Sequence, residues 1–185
     1  MPGAGDVLYT VGHSTHEADE FVGLLRGAGI ECIADVRRYP GSRRNPQFGR
    51  EALARTLGEA GIGYLFMGDE LGGRRKPVVD SPNDGWRVAQ FQGYADHMAT
   101  PDFAGGLARL LDQARERTVA VMCAEGAWQR CHRRLVADAA LVHGFEVRHV
   151  LRDGSVEPHE LTEFAVAAGA ELTYPEPQPR LELDS

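Results

Sequence analysis

Thr118-Val119-Ala120-Val121-Met122-Cys123 is a short, uncharged, largely β-branched and apolar run that gives way at once to the polar turn Ala124-Glu125-Gly126. A run this short and this continuously apolar reads as a strand covered on both faces, as inner strands of parallel sheets are. Upstream, Phe103, Leu107, Leu110, Leu111 and Ala114 recur at helical spacing; downstream, Leu135, Val136, Ala139, Ala140 and Val142 do so before Gly144. A buried strand between two amphipathic helices points to an α/β chain.

The rest of the sequence repeats that alternation. Val7-Leu8-Tyr9-Thr10-Val11 stops at Gly12, Ser14-x-x-Glu17 has capping-box spacing, and Phe21, Leu24, Leu25 and Ala28 outline the helix that box would start. Cys32–Val36 supplies a second strand, Leu53, Leu57 and Ala60 a helix, and Ile62–Phe66 a third strand. Residues 67–85 are rich in Gly and Pro and read as a lid, and residues 86–98 read as a further helix. Phe145–Val150 alternates like a less buried strand at the sheet edge, and residues 158–168 read as a last helix. The expected fold is a single α/β domain over residues 1–168, with a mostly parallel five-stranded sheet and helices on both faces, Rossmann-like and three-layered. Residues 169–185, with three prolines and four acidic residues, read as a Pro-rich acidic C-terminal tail, loosely held from Tyr174 to Ser185.

The 185-residue chain, 43% hydrophobic and 25% charged, suits an ordinary one-core globular protein. It has no apolar run of about 18 residues, and Met1–Asp6 is neither basic nor hydrophobic enough for a signal. The expectation is a cytoplasmic protein with no membrane partner. Three cysteines leave at least one thiol free under any internal pairing, which fits a reducing compartment. A net charge of −7 argues against nucleic-acid binding over the whole surface and leaves only local cationic patches.

In an open parallel sheet, the turns that leave strands for helices share the carboxyl edge, where ligands bind. Here those turns are Gly12–His16, Arg37–Arg44, Met67–Lys76, Cys123–Arg134 and Arg152–Gly154, and arginine, histidine, glycine and cysteine recur in them. Arginine forks and helix N-termini both favour anions, so an anion site is expected at this rim. Part of the charge, such as Arg43-Arg44, has the simpler reading of a solvated face. Cys123 ends a strand, with Arg130, His132 and Arg133 nearby, a setting that lowers a thiol pKa, although a buried apolar role competes for both Cys123 and Cys131. A phosphatase-type Cys-x5-Arg loop is missed by one residue, because Gln129 precedes Arg130. Cys123, Cys131 and His132 lack the compact pairs of a structural zinc site, so neither metal nor cofactor is expected. Ser14 is explained by capping; His13 has no such explanation. Asp35 is placed to pair with and orient Arg37, and Trp128 reads as either packing or a stacking platform.

Gly12-His13-Ser14, Asp35-Val36-Arg37 with Pro40 and Ser42, Leu71-Gly72-Gly73, Cys123-Ala124-Glu125, Cys131-His132-Arg133, Val147–Val150 and Asp153-Gly154 occur in order from about Tyr9 to Gly154. In these motifs the chain resembles the bacterial and archaeal family of domain of unknown function 488. The resemblance implies a compact α/β domain and no particular reaction. By it, His13, Ser14, Asp35, Arg37, Pro40, Ser42, Gly72, Gly73, Cys123, Glu125, Cys131, His132 and Arg133 are the motif positions.

Three functions fit this reading. The first is an enzyme acting on a phosphate-bearing ligand, such as a nucleotide or nucleic-acid component, with Arg37 and Arg133 holding the anion, Glu125 or His132 moving protons, and His13, Ser14, Ser42, Gly72, Gly73 and Cys131 around the ligand. The second is a non-catalytic nucleic-acid-binding module using the basic loops. The third is sulfur-transfer or reductase chemistry at Cys123.

Overall fold

The computed structural model describes residues 6–41 and 43–178. Its sheet has the strand order β3-β2-β4-β1-β5-β6, formed by β1 (Val7–Gly12), β2 (Cys32–Asp35), β3 (Gly63–Phe66), β4 (Val119–Cys123), β5 (Glu146–Val150) and β6 (Val156–Pro158). The first five strands are parallel and β6 runs antiparallel to β5. Every residue of β4 is buried, and its side chains alternate between two cores: Val119, Val121 and Cys123 face one, Ala120 and Met122 the other. This is the period-2 geometry of a strand with helices on both sides.

On the Ala120 face lie α1 (Ala18–Gly27) and α2 (Arg50–Glu59), which bury Phe21, Leu25, Leu53 and Leu57. On the Val121 face lie α3 (Gly68–Leu71), α4 (Ala89–His97), α5 (Pro101–Glu116) and α6 (Arg133–Val142). Thr100 caps α5 by accepting a hydrogen bond from the Phe103 N–H at 3.3 Å, and Pro101 sits where a missing N–H costs nothing. The helix then buries Phe103, Leu107, Leu110 and Leu111, each large apolar side chain contributing about 1.5–3 kcal/mol. The result is a three-layer α/β fold.

Several expectations are corrected. A sixth strand exists, so Phe145–Val150 does not form the edge. Ser14 does not cap α1: the helix starts at Ala18 after Glu17, with no side-chain cap, and Ser14 adopts a left-handed φ of 47°. Residues 158–168 contain no helix. They are drawn onto α6 by Asp138, whose Oδ1 accepts from the Thr162 N–H at 3.0 Å and from His159 Nε2 at 2.8 Å. Tertiary hydrogen bonds thus replace the i→i−4 ladder.

The segment then forms the hairpin of β7 (Val166–Ala168) and β8 (Glu171–Thr173), and the chain is not loosely held at Tyr174. Tyr174, fully buried, packs against Trp86 and Phe164 and donates its hydroxyl to Asp138 Oδ2 at 2.8 Å. The same residue pins the long 67–85 connection, since its N–H donates to Asn83 Oδ1 at 2.9 Å and its carbonyl accepts from the Gly85 N–H at 2.8 Å. Among the described residues, no helix is long and apolar enough to cross a membrane.

Tyr174→Phe keeps the ring and removes only the bond to a buried carboxylate. It is expected to lower stability by about 1–3 kcal/mol, read as a lower urea midpoint with an unchanged slope.

Candidate functional site

β1 and β4 lie side by side, yet the chain leaving β1 crosses one face towards β2 while the chain leaving β4 crosses the other towards β5. Their C-terminal loops therefore diverge, and a crevice opens between them, as at the switch points of other open α/β sheets. The two loops meet as bare backbone below it. His13 N–H donates to Cys123 O at 2.9 Å and Ser14 N–H to Ala124 O at 3.1 Å. A Cβ on Gly12 would stand 2.0 Å from Glu125 O, so the motif glycine is required by close approach. The cavity above has a volume of about 500 Å³.

Arg133, the first residue of α6, lies under the floor and is 1% exposed. Its guanidinium donates to Cys123 Sγ at 3.0 Å, Thr10 Oγ1 at 3.2 Å and the carbonyls of Glu125 and Gly126 at 2.6 and 3.4 Å. Thr10 in turn donates to His149 Nδ1 at 2.6 Å, His149 Nε2 to His159 Nδ1 at 2.9 Å, and His159 to Asp138. The guanidinium at one end and the carboxylate at the other anchor this chain, and burial keeps His149 neutral. Trp128 stacks on His149 with ring centroids 4.0 Å apart and donates to Glu157 Oε1 at 2.6 Å, which gives it a packing role.

Arg37 is engaged in the same way. Asp35 accepts from its Nε at 2.9 Å and its Nη2 at 2.7 Å, while Phe48 O and His13 Nε2 take Nη1 at 2.7 and 3.3 Å. Tyr64 adds a hydroxyl donor to Asp35 Oδ2 at 2.6 Å. Asp35 thus pairs with both Nε and Nη2 of Arg37, and the guanidiniums of Arg37 and Arg133 are both largely engaged by protein groups. His13 stacks on Phe48 and donates Nδ1–H to Ser14 O at 2.9 Å.

The other motif residues divide between lining and support. His13, Ser14, Arg37, Gly73, Cys123, Glu125, Cys131 and His132 line the cavity. Ser14 Oγ accepts from Arg152 Nη1 at 2.8 Å. A Cβ on Gly72 would meet Gly68 O at 2.1 Å, and one on Gly73 would stand 3.0 Å from His132 Nδ1, so these glycines let the α3 turn close against Arg38 and His132. Pro40 O accepts from the Arg50 N–H at the start of α2. Ser42 lies outside the described residues.

The thiols differ from expectation. Cys123 and Cys131 are free and buried, with their sulfurs 2.6 Å apart. Burial pushes Cys123 well up, and the neighbouring Cys131 adds to this. Burial would raise Cys131 too, but the hydrogen bond from Cys123 and the charge and N–H of Arg133 bring it down to about 7. The acidic thiol at this site is therefore Cys131, not Cys123. His132 donates Nε2–H to Val36 O at 2.9 Å, leaving Nδ1 bare 3.7 Å from Cys131 Sγ.

A family model described as domain of unknown function DUF488 matches residues 17–140. The chain belongs to this family. Searches of curated proteins and of solved structures find no match. The DUF488 match covers α1 through most of α6, and so includes the Asp35-Val36-Arg37 and Cys131-His132-Arg133 motifs.

Sequence reasoning does not single out Arg38 and Tyr39, and it names Arg130 only as a neighbour of Cys123 and Arg74 only within a basic loop; all four line the cavity. Tyr39, an aromatic residue 63% exposed with the guanidiniums of Arg38 and Arg74 at 5.6 and 5.7 Å from its ring, carries the one readable signal: an aromatic among arginines in a loop. Thr10, Asp138, His149 and His159 are scattered over 150 residues and give no local sign. Among the described residues, no group of three or more His, Cys, Asp and Glu side chains is arranged to hold a metal.

Burial lowers His149 to about 3, helped by His159 and Arg133, and lowers His13 to about 4 against the hydrogen bond to Ser14. Unfolded, both protonate near pH 6.5, so below that pH the unfolded chain binds more protons than the native one. Their stabilising contribution is complete above pH 6.5 and is lost as pH falls towards 4, with a slope up to about 1.4 kcal/mol per pH unit for each histidine. Urea midpoints measured across this window should fall steadily, and His13→Gln should flatten the curve.

Proposed function

We propose that this DUF488 protein binds a phosphate-bearing ligand, a nucleotide or a nucleic-acid component, in the cavity at the β1/β4 crevice, and acts on it as an enzyme. One observation carries the reading. On a chain of net charge −7, Arg38, Arg74 and Arg130 gather around a single cavity whose two deeper arginines are already satisfied within the protein.

A volume of about 500 Å³ is the size of a nucleotide-scale site. Arg38, Arg74 and Arg130 reach it from three different loops and supply planar N–H donors suited to phosphate oxygens. Tyr39 offers an exposed ring between two of them, on which a base would stack. Arg37 and Arg133 act from behind, Arg37 fixing His13 and Arg133 fixing the Glu125–Gly126 backbone.

Two groups then stand where proton transfer is needed. Burial keeps His132 down and therefore neutral at pH 7, with its tautomer set by Val36 O and a bare Nδ1 for accepting a proton. Glu125 is exposed at the rim, and one of its carboxylate oxygens accepts from the Ala127 N–H at 3.1 Å.

A thermal-shift panel of nucleotides, sugar phosphates, short oligonucleotides and inorganic oxyanions tests this function. A bound compound at 100 times its Kd should stabilise the fold by about 2.7 kcal/mol, and Arg74→Ala and Arg130→Ala should each abolish that response. With the compound identified, Glu125→Ala should retain binding and lose about 100-fold or more in turnover. No response anywhere on the panel would contradict the proposal.

A further inference from the structure

The anion reading leaves the pair of thiols on the cavity floor unused. Arg133 is 1% exposed, and a guanidinium taken out of water requires a negative partner. Among the described residues it forms no ion pair with a carboxylate; the groups around it are a hydroxyl, two carbonyls and the two sulfurs. Only the sulfurs among these can carry charge. Cys123 Sγ and Cys131 Sγ, 2.6 Å apart, are closer than two unbonded sulfurs normally pack and stand within reach of an S–S bond, and a thiolate on either would offset the guanidinium. Arg133 Nε donates to the Cys123 sulfur and the Arg133 N–H to the Cys131 sulfur at 3.4 Å, so the guanidinium residue holds both from one side.

We propose that Cys131 and Cys123 are a peroxidatic pair, in which Cys131 attacks a small hydroperoxide such as hydrogen peroxide and Cys123 resolves the product to an intramolecular disulfide. The roles follow from position. Cys131 takes the Arg133 N–H at 3.4 Å at the start of α6, has the bare Nδ1 of His132 at 3.7 Å and is brought down by Arg133, whereas burial pushes Cys123, at the end of β4, up. Both line the cavity, yet Cys131 is only 4% exposed, so the oxidant must be slender.

The atoms balance in two steps. The Cys131 thiolate attacks one peroxide oxygen; the S–O bond forms, the O–O bond breaks, and the hydroxide released takes a proton and leaves as water. Sulfur is oxidised to a sulfenic acid as the peroxide is reduced. The Cys123 sulfur then attacks Cys131; the S–S bond forms, the S–O bond breaks, and the departing hydroxide leaves with the Cys123 proton as a second water. An external dithiol restores the pair by exchange, itself becoming a disulfide.

The test uses the reduced full-length protein and hydrogen peroxide, with no other ligand, so its outcome is independent of phosphate binding. In the wild type, free thiols should fall from three to one, with a Cys123–Cys131 peptide found by mass spectrometry and reversal by dithiothreitol. The reaction at Cys131 should outrun that at Cys32 by about tenfold or more. Cys123→Ser should trap a sulfenic acid at Cys131 that dimedone labels, and Cys131→Ser should leave Cys123 unlabelled. Three thiols surviving in the folded wild type, oxidation of Cys32 at an equal rate, or dimedone labelling of Cys123 in Cys131→Ser would each overturn the proposal. The wild-type thiol count decides it even if a variant fails to fold.

Discussion

The buried guanidinium of Arg133 is the interaction on which the site depends. It reaches β1 through Thr10, β4 through Cys123 and the loop after β4 through two carbonyls. Those donors fix three separate pieces of chain around one planar group, and the geometry of a fork leaves each piece little freedom. The electrostatic cost of such burial is large unless every donor is met, and the surroundings are built to meet them. His149, kept neutral by burial and backed by His159 and Asp138, gives Thr10 an acceptor for its own proton and so frees its oxygen to receive Arg133.

The polarity of the crevice is graded with depth. Exposed arginines, Tyr39 and the Glu125 carboxylate stand at the mouth, a neutral imidazole lies further in, and sulfur sits on the floor beside a buried cation. A charged ligand and a small oxidant would thus meet different chemistry in one cavity. Bond formation between the sulfurs would remove the thiolate that offsets Arg133, so the charge beneath the crevice would change with its oxidation state.

Much of the fold was legible because burial imposes periodicity. The all-apolar β4, the helical spacing of Phe103 to Ala114 and the alternation around Val7–Val11 all report local geometry, and they place the turns at one edge correctly. Where long-range hydrogen bonds replace local ones the pattern says nothing. The stretch held by Asp138 reads as a helix, and Tyr174 hides in a proline-rich tail that looks soluble. At the site, the sequence brings His13, Cys123, Glu125, Cys131 and His132 to one rim, but cannot tell an arginine facing solvent from one already bound. Arg37 and Arg133 are thus indistinguishable from Arg74 and Arg130 until their partners are seen, and the acidity of two adjacent thiols is decided by which one the guanidinium and its neighbour favour.

Strand β1 gives the placement of the family match a further meaning. The matched residues begin at 17, after β1 has ended at Gly12, and stop at 140, before β5. Yet β1 is inserted between β4 and β5, and it carries Thr10 and the glycine that admits Glu125 O. The matched stretch therefore leaves out three of the sheet's six strands, one of them from its middle. Cut to that span, the sheet would retain β3, β2 and β4 and expose the flank of β4 as a bare hydrogen-bonding edge, the kind of surface that recruits foreign strands. In this protein the limits of the family match and the limits of the sheet do not coincide.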